Sequence, residues 1–101
     1  MSDDTTTFHF NDWSWNKEAN MIYIEQPAGV GYSICKNEDN CVFDDDNVGH
    51  YNLLSMIEWF KLFPEYKDHK FWISGESYGG IYVPFLANEI YEYNLSDKKE
   101  F

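Results

Sequence analysis

Phe71-Trp72-Ile73-Ser74-Gly75-Glu76-Ser77-Tyr78-Gly79-Gly80-Ile81-Tyr82-Val83-Pro84 is the stretch on which the reading of this sequence turns. Its first four residues form a short run of strand length. Gly75-Glu76-Ser77-Tyr78-Gly79 then fits the pattern G-x-S-x-G, in which a serine sits on a tight turn between a strand and a helix. Helical spacing of apolar residues continues from Tyr82 to about Tyr93, with Pro84 near the start, where a missing N–H costs little. So sharp a turn lifts the Ser77 hydroxyl above the strand end in a strained backbone conformation. Gly75 and Gly79 let neighbouring backbone approach without a Cβ in the way. The N–H groups at the helix start face the turn, so the Tyr78 N–H can stabilise an oxyanion. Ser77 is the candidate nucleophile; the bland alternative is a glycine-rich turn without chemistry.

Upstream, Asn20-Met21-Ile22-Tyr23-Ile24-Glu25 is an almost continuous apolar run stopped by Gln26-Pro27, the pattern of a strand buried on both faces of a parallel sheet. From Pro27 to about Phe43 runs a long loop holding Gly29, Gly31, Cys35 and Cys41. Asp44-Asp45-Asp46 opens a helix, since one acid can cap it and the others suit the positive end of its dipole. Val48, Tyr51, Leu54, Ile57, Trp59 and Phe60 recur at helical spacing until Pro64 halts it. The predicted fold is α/β: strand, helix, strand, helix, with parallel strands, a right-handed crossover and both helices on one side. Residues 1–12 read as a flexible polar lead-in and residues 13–101 as the folded part.

Hydrophobic residues make up 44% and aromatic residues 20% of the 101, enough for a core and too many for a disordered chain. Eight Tyr, eight Phe and four Trp expect more neighbours than a chain of this length supplies, which suggests a fragment. The formal charge of -11 repels phosphate backbones and anionic headgroups, so nucleic acid is not an expected partner. The start Met1-Ser2-Asp3-Asp4 lacks the basic and apolar regions of a signal peptide, and no window is long and apolar enough for a membrane span. Cys35 and Cys41 either staple a small loop, as in an oxidising compartment, or stay free thiols. Asn94-Leu95-Ser96 is a glycosylation sequon.

Metal binding finds no pattern. A calcium loop begun at Asp44 would put Val48 at its fifth position and Ser55 at its twelfth, so the acids read as a solvated helix start. His9, His50 and His69 all precede Ser77, whereas hydrolases with this turn carry their catalytic histidine after the serine. His50 and His69 read as surface residues, and no cofactor is expected.

Gly75-Glu76-Ser77-Tyr78-Gly79-Gly80-Ile81-Tyr82-Val83-Pro84 resembles the active-site signature of the serine carboxypeptidases, enzymes of the α/β-hydrolase fold. Three further segments are similar to that family in order and spacing: Ser14-Trp15-Asn16, Glu25 to Ser33, and Phe63-Pro64-Glu65-Tyr66-Lys67. The resemblance covers roughly residues 11–94. It implies that Ser77 attacks C-terminal peptide bonds, that the Tyr78 N–H serves the oxyanion, and that Glu76 grips the substrate's free carboxylate. Two carboxyl groups can meet only by sharing a proton, which accounts for the family's preference for acid. Peptide or protein C-termini become the expected substrate, and a lysosomal, vacuolar or secreted setting the expected location.

Asp12-Trp13 stands where the family usually has proline and tyrosine, and Gly79 where alanine is commoner. The family's oxyanion glycines, with a substrate-binding asparagine and a second glutamate, are expected upstream of residue 1, and its triad Asp and His downstream of Phe101. Missing flanking sequence is therefore expected to complete a partial α/β-hydrolase fold. Two other readings stand beside the peptidase: an acyltransferase or esterase on the same fold, or a non-catalytic remnant. An isolated 101-residue chain is expected to be inactive, to expose apolar surface, and to aggregate or remain partly unfolded.

Overall fold

The structure, a computed structural model, describes residues 6–37 and 41–96. It is built on two helices, α1 (Asp45–Leu62) and α2 (Gly79–Leu95), with 3-10 turns at Trp15–Lys17 and Pro64–Tyr66. α1 begins where the acidic run predicts. Asp44 is its N-cap, accepting from the Asn47 N–H at 2.8 Å, while the Asn47 side chain accepts from the Asp44 N–H at 3.1 Å. That reciprocal pair satisfies N–H groups the first turn would otherwise leave without partners. α1 stops at Leu62, ahead of Pro64, which opens the next 3-10 turn.

α2 begins at Gly79, three residues before the predicted start, so Pro84 lies inside it rather than at its first turn. The proline deletes the bond that would reach the Gly80 carbonyl and presses its ring toward it. Gly80 is exposed and has open space around its Cα, so that carbonyl can turn to solvent.

Helix packs on helix. Among the described residues, Val48, Leu53 and Met56 of α1 and Leu86 of α2 are the buried apolar side chains. Gly49 lets the two backbones close in: a Cβ there would stand 3.1 Å from the Phe85 Cβ and 3.2 Å from its carbonyl carbon. At the exposed edge, His50 Nδ1 lies 3.1 Å from Glu89 Oε2. The contacts Asp45 to Tyr78, Gly49 to Phe85 and His50 to Glu89 advance along both helices in the same order.

The α/β expectation is overturned. Among the described residues there is no strand and no sheet, so neither a parallel strand-helix-strand-helix unit nor a partial α/β-hydrolase sheet is present. Residues 20–26 and 71–76 carry no regular structure. An extended segment becomes a strand only when its N–H and C=O groups meet a neighbour's, and these two segments do not pair with each other. The side chains read as buried on both faces are open to solvent, with Tyr23 78% and Trp72 83% exposed. Apolar runs report a tendency to be buried, which the local sequence cannot fulfil alone.

The whole chain reflects this. Its accessible surface is 8821 Å², against about 6,000 Å² for a compact folded protein of its mass. The Cα radius of gyration is 15.9 Å, where about 13 Å is usual for this length. Trp59 gathers Phe60, Phe63 and Tyr66 at centroid distances of 5.0 to 5.4 Å, and Phe60 reaches Phe71 at 5.7 Å. This cluster tethers the stretch before the serine turn to the end of α1. Of the predicted lead-in, residues 1–5 lie outside the described residues.

Candidate functional site

Ser77 has φ +56°, and no other non-glycine residue among those described has a positive φ. A side chain in that region is sterically disfavoured, so the surrounding turn must hold it there. Gly79 N–H donates to the Glu76 carbonyl at 2.8 Å and Gly80 N–H to the Ser77 carbonyl at 2.9 Å. Neither bond uses the Tyr78 N–H. A Cβ on Gly75 would lie 3.0 Å from both the Gly79 Cα and the Val83 Cγ2, so a side chain there would push the turn away from α2. Gly79 is different: a Cβ there meets nothing within 4 Å, leaving room for the alanine expected at this place.

Ser77 is exposed, and its hydroxyl makes no hydrogen bond among the described residues. Glu76, also exposed, carries its carboxylate beside the serine without a partner among them. The Tyr78 phenol donates to Asp45 Oδ1 at 2.9 Å, and its ring lies 5.0 Å from that of Tyr82. Hydrogen bonding to the Asp45 carboxylate, and then its negative charge, raise the Tyr78 pKa above the ordinary 10.0. His50 is engaged with Glu89 and His69 lies against Tyr66, and neither hydrogen-bonds Ser77 among the described residues.

The segment from Glu25 to Ser33 folds on itself. Ser33 Oγ donates to the Glu25 carbonyl at 2.6 Å, Gly29 N–H to the Ser33 carbonyl at 2.9 Å, and Tyr32 N–H to the Glu25 carboxylate. Gly31, at φ +56°, sits against that carboxylate, so a side chain there would be strained in its backbone and would push the Glu25 carboxylate aside. The buried Asn52 of α1 donates to the Gln26 side chain, docking this segment on the helix. An open groove of about 870 Å³ runs between them, lined by Ile24, Pro27, Ile34, Val48, Tyr51 and Leu54 among others. Cys35 and Cys41, joined as a disulfide, also line it.

Sequence reasoning missed two of these contacts. Asn52 could have been found, because it stands at helical spacing between Val48 and Met56, and a polar residue on a core stripe expects a partner. Asp45 to Tyr78 leaves no local signal, since 33 residues separate the pair. The acids at 44–46 serve the start of α1, and among the described residues no group of three or more His, Cys, Asp or Glu could hold a metal ion. No helix among the described residues is long and apolar enough to cross a membrane.

Comparison with known proteins adds the family. The serine carboxypeptidase family pattern matches residues 1–101. "Serine carboxypeptidase ctsa-4.1" of Caenorhabditis elegans is 44% identical over 101 residues, covering 100% of this chain and 20% of that protein. "Serine carboxypeptidase-like 26" of Oryza sativa subsp. japonica is 48% identical over 91 residues, 89% of this chain and 19% of the relative. The "Lysosomal protective protein" of Mus musculus is 46% identical over 84 residues, 83% of this chain and 18% of its own length. No solved structure matches. The chain spans about a fifth of the length of these curated relatives. With the family pattern matched from end to end, the chain belongs to the serine carboxypeptidase family.

Proposed function

We propose that residues 1–101 carry the nucleophile of a serine-type carboxypeptidase, with Ser77 forming the acyl-enzyme. The observation that carries this reading is the left-handed Ser77 on an open turn immediately ahead of the α2 N-terminus. In the proposed reaction Ser77 Oγ attacks the carbonyl carbon of the last peptide bond, and its proton passes to a base. That proton is handed to the leaving nitrogen as the C–N bond breaks and the C-terminal amino acid departs; water then hydrolyses the ester and Ser77 Oγ regains a proton. The Tyr78 N–H donates to the oxyanion, and Glu76 binds the free carboxylate of the substrate through a shared proton. None of His9, His50 and His69 is assigned as the base.

The family membership supports peptide C-termini as substrate, and the name of the mouse relative supports the lysosomal member of the lysosomal, vacuolar or secreted settings. The test compares a peptide with a free C-terminus and the same peptide C-terminally amidated, at acid and neutral pH. The polypeptide carrying these residues is expressed in its own organism for the purpose. Release of the last residue from the free peptide only, abolished by Ser77→Ala and weakened in Glu76→Gln, is expected. Equal cleavage of both peptides would count against Glu76, and ester hydrolysis without peptidase activity would favour an esterase.

A further inference from the structure

Asp45 opens α1, and its carboxylate takes the phenol of the residue that follows the candidate nucleophile, at 2.9 Å. We propose that Asp45 is a positioning residue, which fixes the Tyr78 main chain, and so the oxyanion N–H, by anchoring the Tyr78 phenol to α1. This rests on the peptidase reading above.

Tyr78 is held from both ends. Its carbonyl accepts from the Ile81 N–H at 2.9 Å and the Tyr82 N–H at 3.3 Å, which ties it to α2. Its ring lies against Tyr82, and its hydroxyl is fixed on the other helix. Asp45 stands one turn before Gly49, where α1 packs against the Phe85 main chain of α2, so it shares the rigidity of that contact. A turn of such strained backbone relaxes easily when one side is freed, and an oxyanion donor works only at its fixed distance. The same bond favours the protonated phenol, since hydrogen bonding to Asp45 raises its pKa. Asp44 and Asp46 are not equivalent to Asp45: Asp44 is occupied by the N-cap, and the Asp46 side chain forms no hydrogen bond or ion pair among the described residues.

The experiment measures kcat and KM for an N-blocked dipeptide with the polypeptide expressed in its own organism. Asp45→Ala is expected to lower kcat about tenfold with KM within about twofold, because a displaced donor costs transition-state rather than ground-state binding. Tyr78→Phe should give the same loss, and the double variant no further one, as for two ends of one interaction. Asp45→Asn, which keeps an acceptor oxygen without the charge, should restore most of the rate, and Asp46→Ala should match the wild type. Unchanged kcat in Tyr78→Phe, losses that multiply in the double variant, or an Asp46→Ala effect equal to Asp45→Ala would overturn the proposal. Should Asp45→Ala fail to fold, Tyr78→Phe carries the test from the other end. A wild type that hydrolyses no peptide while its helices are intact would sink the peptidase reading itself, a result distinct from any of these.

Discussion

The α1–α2 pair and the two irregular stretches, 20–26 and 71–76, are both apolar, yet among the described residues every buried apolar side chain lies on a helix. Leu53 is 3% exposed, while Trp72, eight residues beyond Pro64, is 83% exposed. The difference is one of hydrogen-bond supply. A helix satisfies its main chain from within and needs one apolar face covered, which a second helix from the same chain provides. An extended segment must borrow both its main-chain partners and its cover from elsewhere.

The widest gap should appear in stability. Leu53→Ala is expected to cost about 2–4 kcal/mol in urea unfolding, whereas Trp72→Ala should cost about 0.5 kcal/mol or less. Equal losses would mean that the stretch before the serine is packed after all. Next, Gly49→Val should cost about 1–3 kcal/mol, since its Cβ meets Phe85 main-chain atoms that cannot turn aside. Smaller again, Asp44→Ala should cost about 1 kcal/mol by removing the side-chain acceptor of the capping box, read as lost helicity by circular dichroism.

The smallest effect lies at the junction of the two regions. Tyr78 has its folded pKa raised, first by the hydrogen bond to Asp45 and then by that group's charge, with Tyr82 a lesser contributor. The protonated phenol therefore favours the fold: its contribution is fully present below the ordinary 10.0 and is lost as pH climbs through the raised value. Phenolate absorbance should show Tyr78 titrating late, and the difference between wild type and Asp45→Ala should be an earlier titration of that tyrosine.

The sequence made the local features plain. The acids at 44–46 marked the start of α1, Pro64 its end, and G-x-S-x-G the tight turn, because caps, breakers and glycines act within a few residues. The start of α2 was misplaced because Gly79-Gly80 reads as turn, although the helix already includes both. The sheet was misread for a different reason. The runs at 20–25 and 71–74 announce a wish for burial but contain no information on which main chain would pair with them. Asp45 to Tyr78 and Asn52 to Gln26 escaped because each joins residues distant in sequence through geometry that only the packed helices define.

The central claim is that Ser77 is a nucleophile, and the most direct test is to map a fluorophosphonate probe by peptide mass spectrometry on the polypeptide expressed in its own organism. The account predicts label on the peptide containing Ser77, blocked by a peptide substrate and absent from Ser77→Ala. No label on a protein whose helices are intact, or label that persists in Ser77→Ala, would contradict it.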